Sequence, residues 1–269
     1  MISGGAIIHL ADSADRNLKM QIIGTQHEQA AGAAADMYSR VTGNIGLCMT
    51  TSGPGATNLV TSVCNAFFDS IPMICISGQV SRFRIKPTAN LRQKGFQETD
   101  VVSIFKSITK YSKLILDPKE IRYELEKAMY TAKSGRPGPV LLDIPDDLQR
   151  EDIIPENLKA YNNELESKFV DINDLEKFKS ILIKSKKPVM ILGAGIRLAN
   201  ENKRAIKFAE KLGLPILLTW GAKDILEHDH YLNIGGVGVC GPRGGNFAVQ
   251  KSDLVIAIGT RLSQQITGG

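Results

Sequence analysis

The 269-residue sequence is poor in the features that staple a chain or carry it through a membrane. It has four cysteines, Cys48, Cys64, Cys75 and Cys240, with no CxxC pair and no histidine at metal-ligand spacing. A disulfide framework and a structural zinc site are both excluded, and the pattern is read as that of a reducing, cytoplasmic compartment. Cys48 and Cys75 sit in apolar strand-like runs and Cys64 in a helix-like one, as small buried hydrophobes do. Every apolar run is broken well short of the ~20 residues of a membrane helix. The start, MISGGAIIHLADSADRN, lacks a basic region ahead of its short apolar stretch, so no secretory signal is expected. Basic and acidic residues (33 and 28, net +5) are mixed along the chain with no basic block, which argues against a nucleic-acid partner. Hydrophobic residues at 43% and charged residues at 23% leave an ordinary globular protein, neither disordered nor fibrous.

A chain of this length predicts two domains. Short β-branched runs alternate with longer amphipathic ones. Ile45–Thr50 and Met73–Ser77 read as buried strands, with SGPGATN as a tight turn and Leu59–Phe68 as a helix between them. Apolar residues at helical spacing predict a helix over Ile121–Lys133; GRPGP ends it, and Val140–Ile144 is the next strand. The polar stretch 151–173 reads as a linker. A second alternation follows: helix over Asp174–Ile183, strand over Pro188–Leu192, helix over Lys203–Leu212, strand over Ile216–Thr219, a helical turn at Phe247–Lys251 and a strand over Leu254–Ile258. The expected fold class is therefore α/β, two doubly wound, mostly parallel sheets, with domains at 1–150 and 174–269. Gly4-Gly5 has no strand before it and the chain stops at QQITGG just after a strand and its loop, so both domains are expected to be incomplete.

Three motifs could carry chemistry. Gly53-Pro54-Gly55 stands between a strand and a helix, where glycine allows close backbone approach and a helix N-terminus offers free N–H groups; it suits an anion, a ring, or simply a rigid turn. Gly193-Ala194-Gly195 shares that ambiguity and lacks the third glycine of a dinucleotide fingerprint, which leaves a nucleotide-dehydrogenase reading remote. His27-Glu28-Gln29 opens the small-residue run AAGAAA. A glutamate there can simply complement the helix dipole, or, held in a tight apolar seam, hold and share a proton.

In order along the chain stand HEQ, YSRVTG, TSGPGATN, DSIPMICISGQV, GFQETD and SGRPGPVLLDIP. That succession resembles the pyrimidine-binding domain of thiamine diphosphate enzymes, acetolactate synthase large subunits in particular. KKPVMILGAG, GLPILLTWGAKD and NFAVQKSDLVIAIGTRL extend the resemblance, less specifically, into the family's middle domain, a Rossmann-like unit.

The resemblance implies a homodimer or larger assembly formed through the pyrimidine domain, with the active site between subunits and a small 2-oxo acid as substrate. The activity implied is a transferase-type carboligation, pyruvate decarboxylated and ligated to a second 2-oxo acid, of the kind that feeds branched-chain amino acid biosynthesis. Mg²⁺ and the diphosphate are held by a third domain with a GDG…N motif, absent from this sequence, so no metal ligand is expected here and the chain by itself is expected to be inactive. The middle domain is expected to hold FAD or a related nucleotide in a structural role. By position, Glu28 matches the glutamate on the pyrimidine ring nitrogen, and Gly5 and Gln97 match groups beside the reacting carbonyl. Phe96 matches an aromatic next to the substrate, Pro54, Asn58 and Gln79 match the floor under the ring, and Arg136 matches a flavin contact. Gly193, Gly195, Gly221 and Arg261 fall where the middle domain touches its nucleotide. Three departures stand out. RQKGFQE replaces GTDAFQE, so that Lys94 and Gly95 stand for Asp and Ala; Ile144-Pro145-Asp146-Asp147 replaces IPKD, losing a lysine at the substrate channel; and Ile2-Ser3-Gly4-Gly5 replaces YPGG. The alternatives are a relative acting on another 2-oxo acid and a catalytically inactive fragment that only binds or dimerises.

Overall fold

A computed structural model describes residues 4–88, 90–162 and 170–268. They fall into two compact units that divide between residues 164 and 165.

The first unit runs α1 (Ile8–Asp15), α2 (Glu28–Thr42), β1 (Gly46–Thr50), α3 (Pro54–Thr57), α4 (Val60–Asp69), β2 (Met73–Gln79), α5 (Val101–Phe105), β3 (Tyr111–Leu114), α6 (Ile121–Lys133) and β4 (Pro139–Pro145). Its four strands are all parallel in the order β1-β2-β4-β3. Every residue of β2 and of β4 is buried, as a sheet covered on both faces requires. On one face Met49, Ile74, Ile76, Val140, Leu142 and Ile144 form a core with Ala128 and Ala132 of α6 and Ala14 of α1. Helices α2 and α4 pack on each other so closely that a Cβ on Gly32 would lie 2.7 Å from Ser62 Cβ. The small-residue run of α2 serves that seam. Residues 151–162 belong to this unit: Arg122 Nη1 donates to Pro155 O (3.0 Å), and Tyr161 N donates to Glu126 Oε2 (2.7 Å).

The second unit runs α7 (Ile172–Lys184), β5 (Pro188–Leu192), α8 (Gly195–Leu198), α9 (Asn202–Leu212), β6 (Ile216–Leu218), β7 (Asn233–Gly236), α10 (Arg243–Lys251), β8 (Leu254–Ile258) and α11 (Gln264–Thr267). The sheet is again parallel, ordered β7-β6-β5-β8. One face packs Met190, Leu192, Ile216, Leu218 and Ile256 under Ala205 and Ala209 of α9; the other packs Val189, Ile191 and Leu217 against α10 and α11. The strand order reverses at the β5–β8 boundary, the place in an open parallel sheet where loops part and ligands enter. The α/β class expected from the alternation is what both units show.

Candidate functional site

The C-terminal edge of the first sheet gathers the motifs. The side chain of His27, with extended backbone, caps α2 by accepting from Gln29 N at Nδ1 (3.1 Å). Glu28 is thereby the first helical residue, and it is buried. Its Oε2 accepts from Asn58 Nδ2 at 2.9 Å, across 30 residues of sequence. Asn58 closes the short α3, which the SGPG turn opens. That turn depends on glycine twice. Gly53 has φ +60°, and a Cβ on it would lie 2.6 Å from the Gln97 carbonyl oxygen. A Cβ on Gly55 would lie 2.8 Å from Thr50 Oγ1 and 3.4 Å from Glu28 Oε1. Gly53 therefore lets the Gln97 loop pack directly on the turn, and Gly55 lets the turn pack on Thr50 and Thr51 beside Glu28. Thr50 Oγ1 is buried there with no hydrogen-bond partner.

The N-terminal turn meets the same edge. Ala6 N donates to Thr51 Oγ1 (3.3 Å), and a Cβ on Gly78 would strike Ala6 O. Gly5, the residue before Ala6, faces open space. Gln97 has φ +61°, a conformation that costs a non-glycine residue on the order of 1 kcal/mol and gathers at functional sites. Phe96 beside it is 84% exposed. The loop is tied down by Glu98, buried, which accepts from Lys86 N (2.7 Å), Lys94 N (2.7 Å) and Gly95 N (3.2 Å). Burial works to raise the Glu98 pKa, but the three backbone donors and the charge of Lys86 bring it below the ordinary carboxylate value. Lys94 and Gly95, where the family pattern has Asp and Ala, are thus donors to this anchor.

Glu28, Asn58, Pro54, Gly5, Phe96 and Gln97 all belong to this edge. Gln79 is there too, but its amide is committed within the fold. Its Oε1 accepts from Val80 N (2.9 Å), and its Nε2 donates to Thr99 O (2.8 Å) and to Asp143 Oδ2 (2.8 Å). Arg136 is elsewhere: it precedes β4 and donates to Ser70 Oγ (2.7 Å) ahead of β2, so it lies at the N-terminal edge of the sheet, opposite Glu28. In the second unit Gly193, Gly195, Gly221 and Arg261 follow β5, β6 and β8 at the C-terminal edge of that sheet. A Cβ on Gly193 or Gly195 would lie 2.3 or 2.8 Å from Gly259 O, so these glycines serve the packing of the β5 turn against the β8 turn. Arg197 holds the Gly221 carbonyl (3.3 Å) and pairs with Asp224. Among the described residues no group of His, Cys, Asp or Glu is placed to hold a metal ion, and no helix is long and apolar enough to cross a membrane.

The sequence reading missed Asp143 and Glu98. Asp143 carried a signal, a lone carboxylate inside the apolar run VLLDIP. It is 1% exposed and accepts from Ser77 Oγ (2.6 Å) and Gln79 Nε2 (2.8 Å). Burial pushes its pKa up to about 7, against the lowering effect of those two donors and with a further push from Asp100. Glu98 carried no signal, since nothing in GFQETD marks it as buried.

A chain of two α/β units whose sheet edges carry glycine-opened turns, one of them around a buried carboxylate, is of the cofactor-binding class. Comparison names the family. The description "Thiamine pyrophosphate enzyme, N-terminal TPP binding domain" matches residues 1–104, and "Thiamine pyrophosphate enzyme, central domain" matches residues 175–269. The chain belongs to the thiamine pyrophosphate (thiamine diphosphate) enzyme family. It is 36% identical over 277 residues to the acetolactate synthase large subunit of Cyanidium caldarium, covering 98% of this chain and 46% of the relative. It is 36% identical over 270 residues to that of Corynebacterium glutamicum (99% and 42%), and over 273 residues to a probable acetolactate synthase large subunit of Methanocaldococcus jannaschii (98% and 44%). The chain spans less than half the length of these curated relatives.

The edge fits the aminopyrimidine end of that cofactor. Glu28 has one oxygen fixed by Asn58, and its other oxygen makes no bond among the described residues.

Proposed function

We propose that this chain supplies the pyrimidine-binding half-site and the central domain of an acetolactate synthase-type carboligase, in which pyruvate is decarboxylated and joined to a second 2-oxo acid. The observation that carries the reading is the Glu28–Asn58 pair beside the SGPG turn. Thiamine diphosphate, when bound, supplies the electron sink for decarboxylation and ligation. Asn58 fixes Oε2 of Glu28 and so orients the carboxylate, leaving Oε1 to accept from a ring N–H or to share a proton with it. Gly53 and Gly55 let the turn, Thr50, Thr51 and the Gln97 loop pack closely around that carboxylate. The Gln97 amide and the Gly5 N–H are donors available to negative charge developing on the substrate carbonyl. Mg²⁺ and the diphosphate are held outside the described residues, by a further domain. The glycine-lined β5–β8 edge suits FAD or a related nucleotide. Dimerisation through the first unit accords with the exposed Met37, Tyr38 and Val41 of α2, and the four free cysteines accord with a cytoplasmic enzyme.

Asp146 supports a second reading. Half-buried at the end of β4, with Oδ1 accepting from Ser81 Oγ (2.5 Å), it puts a negative charge where the family pattern has lysine. That favours a 2-oxo acid other than those of acetolactate synthases. The test is to feed pyruvate, and then other 2-oxo acids, to an enzyme carrying this chain with its diphosphate-binding domain, thiamine diphosphate and Mg²⁺. Acetolactate formation supports the first reading, turnover of another acid alone supports the second, and no turnover of any rejects both.

A further inference from the structure

Gln97 is held in a left-handed conformation, and a hydrogen bond accepted by Thr99, two residues on, leads through Gln79 to a buried carboxylate. The Gln79 amide orientation is fixed from one side, because Val80 N–H donates to Oε1 (2.9 Å). Nε2 must therefore be the donor toward both Asp143 Oδ2 and the Thr99 carbonyl, each at 2.8 Å. Ser77 donates to the other carboxylate oxygen at 2.6 Å. Ser77 and Gln79 are on β2 and Asp143 on β4, in a fully buried layer, so none of the three can turn to water instead. Thr99 is two residues from Gln97, whose own carbonyl lies against Gly53.

We propose that Asp143 is a positioning residue: through Gln79 it fixes the Thr99 carbonyl, and so holds the 95–99 loop with Gln97 against the SGPG turn. Asp143 itself touches neither Glu28 nor the turn. It removes the alternative orientations of Gln79 by taking one of that amide's two protons, leaving the other for the loop. The need is for an acceptor rather than for a charge. Burial already draws the carboxyl toward its neutral form, and an asparagine amide could accept from Gln79 while donating to Ser77 Oγ. The assignment stands on the fold alone; its consequence for catalysis rests on the reading proposed above.

The experiment is amide hydrogen exchange on the intact chain, resolved at residues 95–99. In Asp143→Asn, exchange stays close to wild type. In Asp143→Leu combined with Ser77→Ala, which leaves no stranded partner but Gln79, the loop exchanges roughly tenfold faster or more, while the β5–β8 pairing in the second unit is unchanged. Gln97→Gly relieves the left-handed strain, so it slows loop exchange severalfold in the wild-type background and has little effect once the strut is gone; a residue that merely supports the sheet leaves the two changes additive. The proposal fails if the asparagine variant is as loose as the apolar pair, if the apolar pair is as tight as wild type, or if the effects add. Should the apolar pair not fold, the wild type alone decides: slow exchange of both Gln79 side-chain amide protons is required, and exchange at the rate of a free amide overturns the strut. None of these measurements needs cofactor or turnover, so the strut can fail while the catalytic reading stands, and the reverse.

Discussion

The two units use the same parallel four-stranded layout and open their loops at the same kind of edge, yet they furnish that edge differently. Nearly all the buried polar side chains lie in the first unit, among them Glu28, Asp36, Gln79, Glu98, Glu124 and Asp143; among the described residues of the second, Thr219 stands alone in that class. The edge of the first unit is built from side chains that accept or share protons. The edge of the second is built from backbone: Gly193, Gly195 and Gly259 let the β5 and β8 turns approach to distances that any Cβ would forbid. Buried polar groups cost stability unless they are paired, so a fold keeps them where they serve another end. On the function proposed above, the proton chemistry belongs to the first unit and binding by shape and backbone to the second.

The largest expected effect tests the proton chemistry. Glu28→Gln keeps the size of the side chain and its bond with Asn58, but removes the group that shares a proton. In an enzyme carrying this chain and its diphosphate-binding domain, exchange of the thiazolium C2 proton should slow by roughly 10²–10⁴-fold, the range of a general acid–base group, with cofactor binding largely kept. If Glu28 only complements the dipole of α2, exchange stays near normal and stability changes by about 0.3–1 kcal/mol. Proton NMR in deuterated buffer separates these outcomes.

The buried carboxylate without direct contact to the site gives the next effect. The folded pKa of Asp143, about 7, lies above its ordinary 3.8, so burial disfavours the charged form. The advantage of the folded state is full below the ordinary pKa and is lost as pH rises through about 7. Relative to Asp143→Asn, which does not titrate, wild type should lose on the order of 4 kcal/mol of stability between pH 4 and pH 7.5, since each tenfold difference in proton affinity between the folded and unfolded chain is worth about 1.4 kcal/mol. Urea unfolding at several pH values measures the difference. A flat difference would mean that Asp143 is charged throughout.

How much of this was legible follows from what each feature depends on. Strands β5 and β8 and helix α6 begin and end at the residues the hydrophobic pattern marks, because each is a continuous apolar or 3.6-periodic run bounded by Gly, Pro or charge. Strands β3 (YSKL) and β7 (NIGG) left no such mark: no residue of either is fully buried, so theirs need not be apolar, whereas the other edge strands, β1 and β8, keep apolar runs. The Glu28–Asn58 pair joins residues far apart in sequence and no local spacing encodes it; only the order of the motifs brought the two together. Gln79 was matched to the floor under the ring by the family resemblance alone; whether its amide faces a ligand or Asp143 depends on β4, more than sixty positions away. Arg136 shows the opposite case. In a parallel sheet a residue just before a strand lies at the N-terminal edge, so its separation from Glu28 followed from strand direction alone.

The backbone-built edge of the second unit makes its own demand. Gly259 has φ +63°, and a Cβ on it would lie 2.5 Å from Ile196 N. Gly259→Ala should cost about 1–3 kcal/mol through overpacking and strain, opening the β5–β8 edge to hydrogen exchange while the first unit keeps its protection. Equal protection in both units would show that this approach can relax, and that the edge is less rigid than its glycines imply.

The smallest effect is expected at the far end of the same two strands, where the second unit does use a carboxylate. Asp253, ahead of β8, accepts from Ser185 Oγ and from the backbone N–H of Lys186 (2.7 Å) and Lys187 (2.9 Å), ahead of β5. The Ser185 hydroxyl, then the two N–H donors, hold its pKa down to about 2. Because the folded value lies below the ordinary 3.8, the stabilisation is present above about pH 4 and is lost as pH falls through about 2, the reverse of Asp143. The group is exposed, so solvent and salt screen it and the effect is modest. Asp253→Asn should therefore lower the thermal midpoint slightly at pH 7 and not at all near pH 2. The same substitution at Asp143 should matter most at the neutral end and act in the opposite sense there, raising stability. Thermal scans of the two variants across pH make that contrast directly. If both variants shift the midpoint in the same direction at neutral pH, the distinction between a carboxylate held charged and a carboxylate held neutral is wrong.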